Sequence, residues 1–526
     1  MRKGFVIASI AVVLAILVWA FFWRWAVLLL AVVSPFIYMG VADMVQTKQS
    51  IKRNFPLLGR LRYVFEDLRP KIQQYFVEND TDGAPINRND RSVIYQRAKK
   101  QIDTTPFGTQ LDVYAEGYEW MSHSIVPLDF HAVDHHPRVL VGSKDCKQPY
   151  SASILNVSAM SFGSLSSHAV EALNAGAKIG SFAHNTGEGG LSPYHLKQGG
   201  DIIWQIGTGY FGARDEEGKF SPEAFRKNAS RPEVKMIELK LSQGAKPGHG
   251  GILPAKKNTS EVAAIRLVKP GTTVFSPPFH SAFSTPKELI QFVQELRELS
   301  GGKPVGFKLC IGRKSEFISV CKAMIELNLY PDFITVDGGE GGTGAAPPEF
   351  SNFVGMPLLD GLAFVDNMLK GFGIRHQIKV AASGKILTGF QILRAIALGA
   401  DMCNSARAMM MALGCIQALE CNKNTCPAGV ATQDPALVDG LVVDDKKVRV
   451  ANYHKNTIES FVELMAAAGI DSPGKLNRHQ ISRRVFMNDV KTLEEIYPSI
   501  APNSMVSNAV PERYKMSFES ASADKF

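Results

Sequence analysis

From about residue 150 onward, short apolar runs rich in β-branched residues alternate with longer stretches of helical periodicity. This alternation is typical of a parallel α/β fold. Eight of the apolar runs have the length of a buried strand, and eight parallel strands suit a closed (β/α)8 TIM barrel. The predicted strands cover residues 155–159, 181–185, 202–207, 236–241, 305–310, 333–337, 378–383 and 401–404.

The first 45 residues follow a different pattern. Residues 5–22 and 26–40 carry no charge, and only Trp23, Arg24 and Trp25 separate them. At about 1.5 Å per residue each arm spans roughly 25 to 30 Å, enough to cross a hydrocarbon core. The pattern therefore predicts an N-terminal transmembrane helical hairpin over residues 1–45. A cleaved signal peptide is the alternative, and it fits less well because its apolar stretch is usually shorter and single.

Basic residues flank the hairpin on both sides. They are Arg2, Lys3, Lys48, Lys52 and Arg53. Because positive charge is retained on the cytoplasmic side, both ends are expected there. The prediction is a cell inner membrane protein with two transmembrane helices and a cytoplasmic catalytic domain.

The composition limits the classes of partner that the chain could bind. The formal charge of +8 is small for 526 residues, and no run of five or more Lys and Arg suggests a nucleic-acid surface. The mild excess of positive charge suits a contact with anionic lipid.

Seven cysteines, an odd number in a large chain, argue against a disulfide framework and for thiols kept reduced.

The segments after the predicted strands carry most of the Gly-rich and polar signatures, at the face where such barrels do chemistry. Ser383, Gly384 and Lys385 follow the seventh strand. Ser405, Ala406 and Arg407 follow the eighth. A phosphate is bound at these two positions in phosphate-binding barrels, so a flavin or nucleotide phosphate is predicted here. The alternative for the first loop is that Gly384 only turns the chain.

Cys415, Cys421 and Cys426 have the spacing C-x5-C-x4-C and are followed by Pro427. Three thiolates in a reducing compartment suit an iron-sulfur cluster or zinc, and zinc would usually need a fourth ligand. The other four cysteines lack such spacing and are predicted to be buried small hydrophobic residues. They are Cys146, Cys310, Cys321 and Cys403.

The segments SAMSFGSLS, NTGEGG, QGAKPGHGGILP, SPPFH, GGTGAAP and CNKNTCPAGVATQ resemble, in order and spacing, the FMN-binding synthase domain of glutamate synthase. The resemblance covers roughly residues 150–435. It implies FMN and a 3Fe-4S cluster held by the three spaced cysteines. The implied flavin contacts outside the two phosphate loops are Met160, Ser161, Gln205, Lys308, Asp337, Gly338, Gly339 and Gly342.

In the family, reduced FMN gives a hydride to 2-iminoglutarate formed from 2-oxoglutarate and ammonia. The resemblance implies that Gln243, Lys246 and Arg266 bind the substrate, with Glu188 near the reacting carbon and Lys240 assisting. The chain departs from the family pattern in carrying His249 where an acidic residue is usual, Ile252 where a glutamine is usual, and DGGEGGTG where DGGTG is usual. These changes leave the acceptor open, because an aliphatic side chain removes a hydrogen bond and reshapes the pocket. His249 is a candidate acid or base, or a structural histidine.

The sequence also indicates what is absent. Residues 46–140 show no cysteine nucleophile of a glutamine-hydrolysing domain, and no G-x-G-x-x-G follows a predicted strand. Electrons are therefore expected from a ferredoxin-like protein or a membrane carrier. The predicted organisation is a hairpin at 1–45, a linking or wrapping region at 46–140, the synthase domain at 141–440, and a C-terminal extension at 441–526. The extension is expected to be helical to about residue 470 and then polar, with a loose tail after Asn503.

Four functions stay open at this point. The leading one is an FMN and iron-sulfur oxidoreductase acting on a 2-oxo acid with ammonia. The second is a related amino-acid synthase, such as an N-methylglutamate synthase component, that takes an amine instead. The third is a non-catalytic membrane electron-transfer or scaffold protein. The fourth is a flavin-free relative of inosine-monophosphate dehydrogenase, which would need a catalytic cysteine loop between strands six and seven that the chain lacks.

Overall fold

The computed structural model describes residues 1–101, 104–507 and 509–526. These residues form two compact units, Met1–Arg88 and Asn89–Phe526. The helices are α1 (Arg2–Phe22), α2 (Leu29–Val45), α3 (Ser50–Asn54), α4 (Leu58–Ile72), α5 (Arg88–Lys99), α6 (Ser167–Gly180), α7 (Pro193–Leu196), α8 (Pro222–Ala229), α9 (Ser260–Arg266), α10 (Pro286–Leu299), α11 (Lys314–Leu327), α12 (Pro348–Phe353), α13 (Leu358–Gly371), α14 (Gly389–Ala397), α15 (Arg407–Leu413), α16 (Pro435–Val438), α17 (Val443–Ala467), α18 (Leu493–Ile496) and α19 (Glu512–Ser520).

The strands are β1 (Glu119–Met121), β2 (Arg138–Val141), β3 (Tyr150–Ser153), β4 (Leu155–Val157), β5 (His184–Asn185), β6 (Ile202–Ile206), β7 (Val234–Lys240), β8 (Ile252–Leu253), β9 (Val274–Phe275), β10 (Val305–Leu309), β11 (Phe333–Asp337), β12 (Lys379–Ser383), β13 (Met402–Ser405), β14 (Ile481–Phe486) and β15 (Asp489–Thr492).

The N-terminal unit begins with two apolar helices that pack on each other. The segments Arg2–Phe22 and Arg24–Val45 are long and apolar enough to cross a membrane, and few of their residues are buried. They pack closely where Gly40 meets Phe5, since a Cβ at Gly40 would lie 2.0 Å from the Phe5 ring. The two long apolar helices of the predicted hairpin are therefore present.

Eight parallel strands close into the barrel of the second unit, in the order β4, β5, β6, β7, β10, β11, β12 and β13, with β13 pairing back to β4. The closing register places Cys403 opposite Leu155 and Ser405 opposite Val157. Almost every barrel-strand residue is buried, as expected for a parallel sheet covered by helices. The predicted (β/α)8 barrel is confirmed, and each predicted strand matches an observed one.

The hairpin β2–β3 covers the N-terminal end of the barrel. Val141, Tyr150 and Ala152 form one buried cluster with residues near the starts of the barrel strands. Asp332 fixes this end, because its buried carboxylate contacts Arg297 of α10 at 3.0 Å and accepts from the Val305 amide at 2.8 Å. The open face of the barrel is therefore the C-terminal one.

The C-terminal segment is more ordered than predicted. The polar stretch after residue 470 includes β14 and β15, which join β1 in a three-stranded antiparallel sheet. Beyond Asn503, α19 buries Tyr514, and Lys322 of α11 donates to the carbonyls of Phe518 at 2.7 Å and Ala521 at 2.8 Å. The prediction of a loose tail was wrong, because these contacts fasten the tail to α11.

Candidate active site

Two ion pairs lie at the C-terminal ends of the barrel strands. Lys240, the last residue of β7, contacts Glu188 with an Nζ to Oε1 distance of 2.8 Å. Lys308 of β10 contacts Asp337, the last residue of β11, at 3.3 Å. The pairing is needed, since an isolated charge taken out of water costs several kcal/mol.

The pairs favour the ionised forms of Glu188 and Lys308. Burial would raise the pKa of Glu188, but Lys240, Lys246 and Arg266 outweigh it and lower that pKa. Burial would lower the pKa of Lys308, and Asp337 with Glu238 raises it. The site therefore contains a fixed carboxylate and a fixed ammonium group.

Glu238 is a feature that the sequence did not reveal. It lies inside the barrel on β7, 1% exposed. Its Oε1 accepts from Asn185 at 2.8 Å and from Gln205 at 2.6 Å, and its Oε2 accepts from the Thr335 hydroxyl at 2.6 Å. Gln205, predicted to contact the flavin, thus orients its amide nitrogen toward this carboxylate. The only sequence signal was an acidic residue with apolar neighbours on both sides in the strand.

Lys246 and Arg266 are both buried near Glu188. Burial lowers the pKa of Lys246 to about 8 and that of Arg266 to about 10. Arg266 donates to the Phe162 carbonyl at 3.0 Å, and its guanidinium carbon lies 5.2 Å from the ring centre of Phe211. Lys246 interacts with the charges of Glu188 and Lys240, and its Nζ makes no hydrogen bond to another described residue. Such a buried cation is available to an anionic ligand.

The first predicted phosphate loop follows β12. Gly384 has φ 147° and Lys385 has φ 49°, which turns the chain sharply after Ser383. The N–H groups of Gly384 and Lys385 have no hydrogen-bond partner among the described residues. Unpaired amides beside a lysine are suitable donors for a phosphate.

The second predicted phosphate loop follows β13. The Ser405 hydroxyl donates to the Ile386 carbonyl at 2.6 Å, which ties this loop to the first one. Arg407 opens α15 and donates to the Glu340 carbonyl at 2.7 Å. Burial lowers the pKa of Arg407, and the Ala406 amide has no partner among the described residues. The two loops therefore meet, as a shared phosphate site requires.

The Gly-rich segments pack tightly around Asp337. The Asp337 carboxylate accepts from the Gly244 amide at 2.8 Å, and a Cβ on Gly244 would lie 1.7 Å from the Gly338 carbonyl oxygen. A side chain on Gly338 or Gly339 would also overlap neighbouring atoms, and Gly342 lies against Arg407. Glu340, which lies in the longer DGGEGGTG segment, accepts from the Leu358 amide at 2.9 Å.

The loop after β4 brings Met160 and Ser161 to the same face. Both are buried, and the Ser161 hydroxyl donates to Ser164 at 3.1 Å. Gly187, with φ 64°, packs on this loop, and a Cβ there would lie 2.9 Å from the Ser161 nitrogen. Glycine is needed at this position both for its backbone angle and for the close approach.

The positions that depart from the family pattern lie beside the site. His249 contacts the Gly250 carbonyl at 3.0 Å and meets Phe350 edge to face, with ring centres 5.4 Å apart. Ile252 begins β8 and pairs with Phe275. Gln243 is half-buried, and its carbonyl accepts from the Lys246 amide at 3.3 Å. None of these contacts assigns a proton-transfer role to His249.

The three spaced cysteines lie near one another. Burial, followed by the charges of Cys421 and Cys426, raises the pKa of Cys415 to about 11, and burial together with Cys426 also raises the pKa of Cys421. All three thiols are free. Within the described residues, no three His, Cys, Asp or Glu side chains are placed to hold a metal ion. Of the other four cysteines, three are buried as predicted and Cys146 is half-buried.

Two further buried groups were not predicted. Lys257 is 3% exposed and donates to the Ser164 carbonyl at 2.6 Å and the Cys421 carbonyl at 3.1 Å, which links the loop after β4 to the cysteine segment. His280 Nε2 donates to the Lys240 carbonyl at 2.8 Å, and its buried Nδ1 has no partner among the described residues. Burial lowers the pKa of His280 to about 4, so this histidine is neutral.

The charges at this face sum to a positive site. Four acidic side chains are exceeded by six basic ones, an excess of two positive charges. The acidic residues are Glu188, Glu238, Asp337 and Glu340, and the basic residues are Lys240, Lys246, Arg266, Lys308, Lys385 and Arg407. The fold and site thus define a (β/α)8 barrel with a net positive C-terminal face, which suits anionic ligands.

Known proteins agree with this class. Residues 104–471 match the conserved region in glutamate synthase. The glutamate synthase large subunit-like protein YerD of Bacillus subtilis is 39% identical over 488 residues, which cover 85% of this chain and 92% of that protein. The chain therefore belongs to the glutamate synthase family, and it is an oxidoreductase of that type.

Other relatives share only part of their length with this chain. An archaeal glutamate synthase [NADPH] of Methanocaldococcus jannaschii is 38% identical over 340 residues, 64% of this chain and 62% of that enzyme. The glutamate synthase [NADPH] large chain of Azospirillum brasilense is 32% identical, and the match covers 62% of this chain and 21% of that one.

Among solved structures, the recombinant flavin-binding domain of baker's yeast flavocytochrome b2 has a TM-score of 0.43 and 12% identity, covering 88% of this chain and 95% of that one. Mandelate oxidase with a difluorinated hydroxy acid has a TM-score of 0.38 and 16% identity, covering 77% and 97%.

Proposed function

We propose that this chain is an FMN-dependent oxidoreductase that reduces an imino acid formed from a 2-oxo acid and ammonia or an amine. The 2-oxo acid is 2-oxoglutarate by default, and the product is then glutamate. The observation that carries the proposal is the buried cation pair Lys246 and Arg266 beside the Lys240–Glu188 ion pair. Two buried cations next to an ionised carboxylate suit a small dicarboxylate whose reacting centre is polar.

The residues present fit FMN. The unpaired amides of Gly384, Lys385 and Ala406, with the guanidinium of Arg407, would hold a phosphate. Lys308 would place a fixed positive charge beside the ring, because Asp337 and Glu238 keep it protonated. A bound flavin supplies hydride transfer.

Side chains of this protein would bind the substrate and provide a proton. Arg266 and Lys246 would bind the carboxylates of the substrate, and Glu188 would orient the nitrogen of the imine. With a pKa of about 8, Lys246 can hold or release a proton at Nζ near neutral pH. Reduction of a carbon–nitrogen double bond to an amine requires such a proton in addition to a hydride.

We propose further that Cys415, Cys421 and Cys426 hold a 3Fe-4S cluster through which electrons enter from a ferredoxin-like protein or a membrane carrier. Three neighbouring thiols, with no fourth Cys, His, Asp or Glu ligand grouped with them in the described part of the chain, suit that cluster better than zinc. The raised pKa values of Cys415 and Cys421 mean that the metal must displace protons to bind. We also propose that α1 and α2 span the inner membrane with the barrel in the cytoplasm.

The test starts with anaerobic extraction of the full chain from membranes. The flavin is identified after release, and iron and the low-temperature paramagnetic signal are measured. A panel of 2-oxo acids is then assayed with ammonium or methylamine and an artificial reductant. FMN together with amine formation from 2-oxoglutarate and ammonium supports the proposal. Turnover with methylamine alone favours the amine-using synthase, and absence of turnover on the whole panel favours a non-catalytic electron carrier.

Substitution of one cysteine tests the proposed cluster separately from the flavin. Cys421→Ser should lose the cluster signal and retain the flavin, because the thiol and the phosphate loops lie on different segments and a serine alkoxide is a poor iron ligand. Cys146→Ser is the matched control, since this half-buried thiol lies at the opposite end of the barrel and contacts the Gly302 carbonyl at 3.3 Å. Full iron content in Cys421→Ser would refute the ligand assignment.

A further inference from the structure

Helix α4 has an exposed apolar stripe. Its side chains follow the spacing of three and four residues that places them on one face of a helix. All are more than a third exposed, and Phe65 is 62% exposed. They are Leu58, Leu61, Phe65, Leu68 and Ile72, with Val64 on the same side. An apolar surface of this kind normally marks a contact with a partner or a membrane.

Basic residues line both borders of the stripe. At 100° per residue, Arg62 and Arg69 fall on one border, and Arg60 and Lys71 fall on the other. By the same count, the acidic residues Glu66 and Asp67 lie farther from the stripe than these basic residues do. An apolar face bordered by Lys and Arg is the pattern of a helix lying in a membrane interface, where long basic side chains reach the headgroups.

The start of α4 is fixed to the end of α2. The Asp43 carboxylate, in the last turn of α2 and 2% exposed, accepts from the Leu57 amide at 3.1 Å and from Arg60 Nε at 3.0 Å. A helix that spans the membrane ends at the headgroup level, so this contact places the first turn of α4 at that level.

The basic residues beside the stripe indicate whether a second copy of this chain or a membrane covers it. Pairing with α4 of a second copy would bring basic borders against basic borders, which is unfavourable. Anionic headgroups are attracted to the same residues.

We propose that α4 lies in the interface of an anionic membrane, with its apolar stripe among the acyl chains and Arg62, Arg69 and Lys71 at the lipid headgroups. This inference rests on the proposal that α1 and α2 span the membrane, and it goes beyond that proposal by assigning a second, lateral membrane contact. The consequence is a fixed depth for the N-terminal unit at the membrane surface.

The test uses the full chain in nanodiscs with the photo-crosslinking residue p-benzoylphenylalanine at position 65. Position 67, on the opposite side of α4, is the matched control, and position 14, in α1, reports on the hairpin itself. The expected result is lipid adducts at positions 14 and 65 and at least about fivefold fewer at 67. Adducts from position 65 to peptides of a second copy or of the same chain would overturn the proposal, as would no adduct. Lipid adducts missing at position 14 as well would instead refute the membrane-spanning hairpin.

A second arm tests the charge. In nanodiscs with phosphatidylglycerol, the combined change Arg62→Gln, Arg69→Gln and Lys71→Gln should lower the lipid adduct yield at position 65 by about fivefold or more. In nanodiscs of phosphatidylcholine alone the same change should have no effect. The charge-preserving set Arg62→Lys, Arg69→Lys and Lys71→Arg should keep the wild-type yield. An equal loss in both lipids, or loss in the charge-preserving set, would overturn the role assigned to headgroup charge.

Discussion

Binding of a 2-oxo acid anion should weaken above about pH 8, because it requires the protonated form of Lys246. Burial lowers the pKa of Lys246 from 10.5 to about 8, with Glu188 acting in the opposite direction and Lys240 adding to the decrease. About nine tenths of the side chain is then charged at pH 7 and about one tenth at pH 9. The affinity for an anion that requires the ammonium group should fall about tenfold over this range, which is roughly 1.4 kcal/mol.

The assay is a titration with 2-oxoglutarate between pH 6.5 and 9.5, followed calorimetrically or through the flavin spectrum. Lys246→Met should bind weakly at every pH and lose the slope. Lys256→Met, which removes the exposed lysine beside the buried Lys257, should keep the wild-type profile. A flat wild-type profile between pH 7 and 9, or an unchanged slope in Lys246→Met, would refute the reasoning.

The lowered pKa of Lys246 also makes the stability of the fold depend on pH, in a direction that can be worked out. The folded-state pKa of Lys246 lies below the unfolded value, so its charged form destabilises the fold at pH values below 8. Stability should rise as the pH increases from about 8 to 10.5, by up to roughly 3 kcal/mol. Lys246→Met should therefore melt at a higher temperature than the wild type at pH 7 in the absence of ligand. A lower melting temperature would contradict this assignment.

Three further outcomes follow from the contacts. Asp332→Ala should lower the free energy of unfolding by about 3 to 5 kcal/mol in denaturant titration, since Arg297 would be left buried and unpaired; a loss below about 1 kcal/mol would contradict the pairing. Gly187→Ala should fold but bind FMN at least about tenfold more weakly, because its Cβ would overlap the loop after β4; an equal flavin content would argue against that loop as a cofactor contact. Lys257→Met should speed amide hydrogen exchange in the loop after β4 and in the cysteine segment, since the carbonyls of two loops lose their shared donor; unchanged exchange would show that the loops are held in another way.

The barrel could be predicted because buried parallel strands are nearly continuous apolar runs. All eight were located, and the largest error in a boundary is at β5, predicted from residue 181 and observed from His184. The first residues of that run belong to the end of α6 and its turn, where Ser181 has φ 54°. Periodicity does not mark such a turn, because a single residue in a left-handed conformation leaves the apolar pattern unchanged.

The site residues that the sequence did not predict were missed for one physical reason. Glu238, Lys257 and His280 acquire their roles from partners that are distant in the chain: Thr335 is 97 residues from Glu238, and Cys421 is 164 residues from Lys257. A single sequence shows the polar residue but not the strand or loop that meets it. The C-terminal sheet was missed for a related reason, since β14 contains Arg483, whose partner Glu119 lies 364 residues away.

A closed barrel leaves no unpaired strand edge, and this bears on how well crowded copies of the chain resist aggregation. Within the described residues, the exposed backbone edges belong to three small sheets of two or three strands. One of these edges is β15, only four residues long, with Asp489 and Lys491 both about half exposed. Short, charged edges are poor templates for adding a strand from a neighbouring chain. Chains at high concentration should therefore resist aggregation through their sheets.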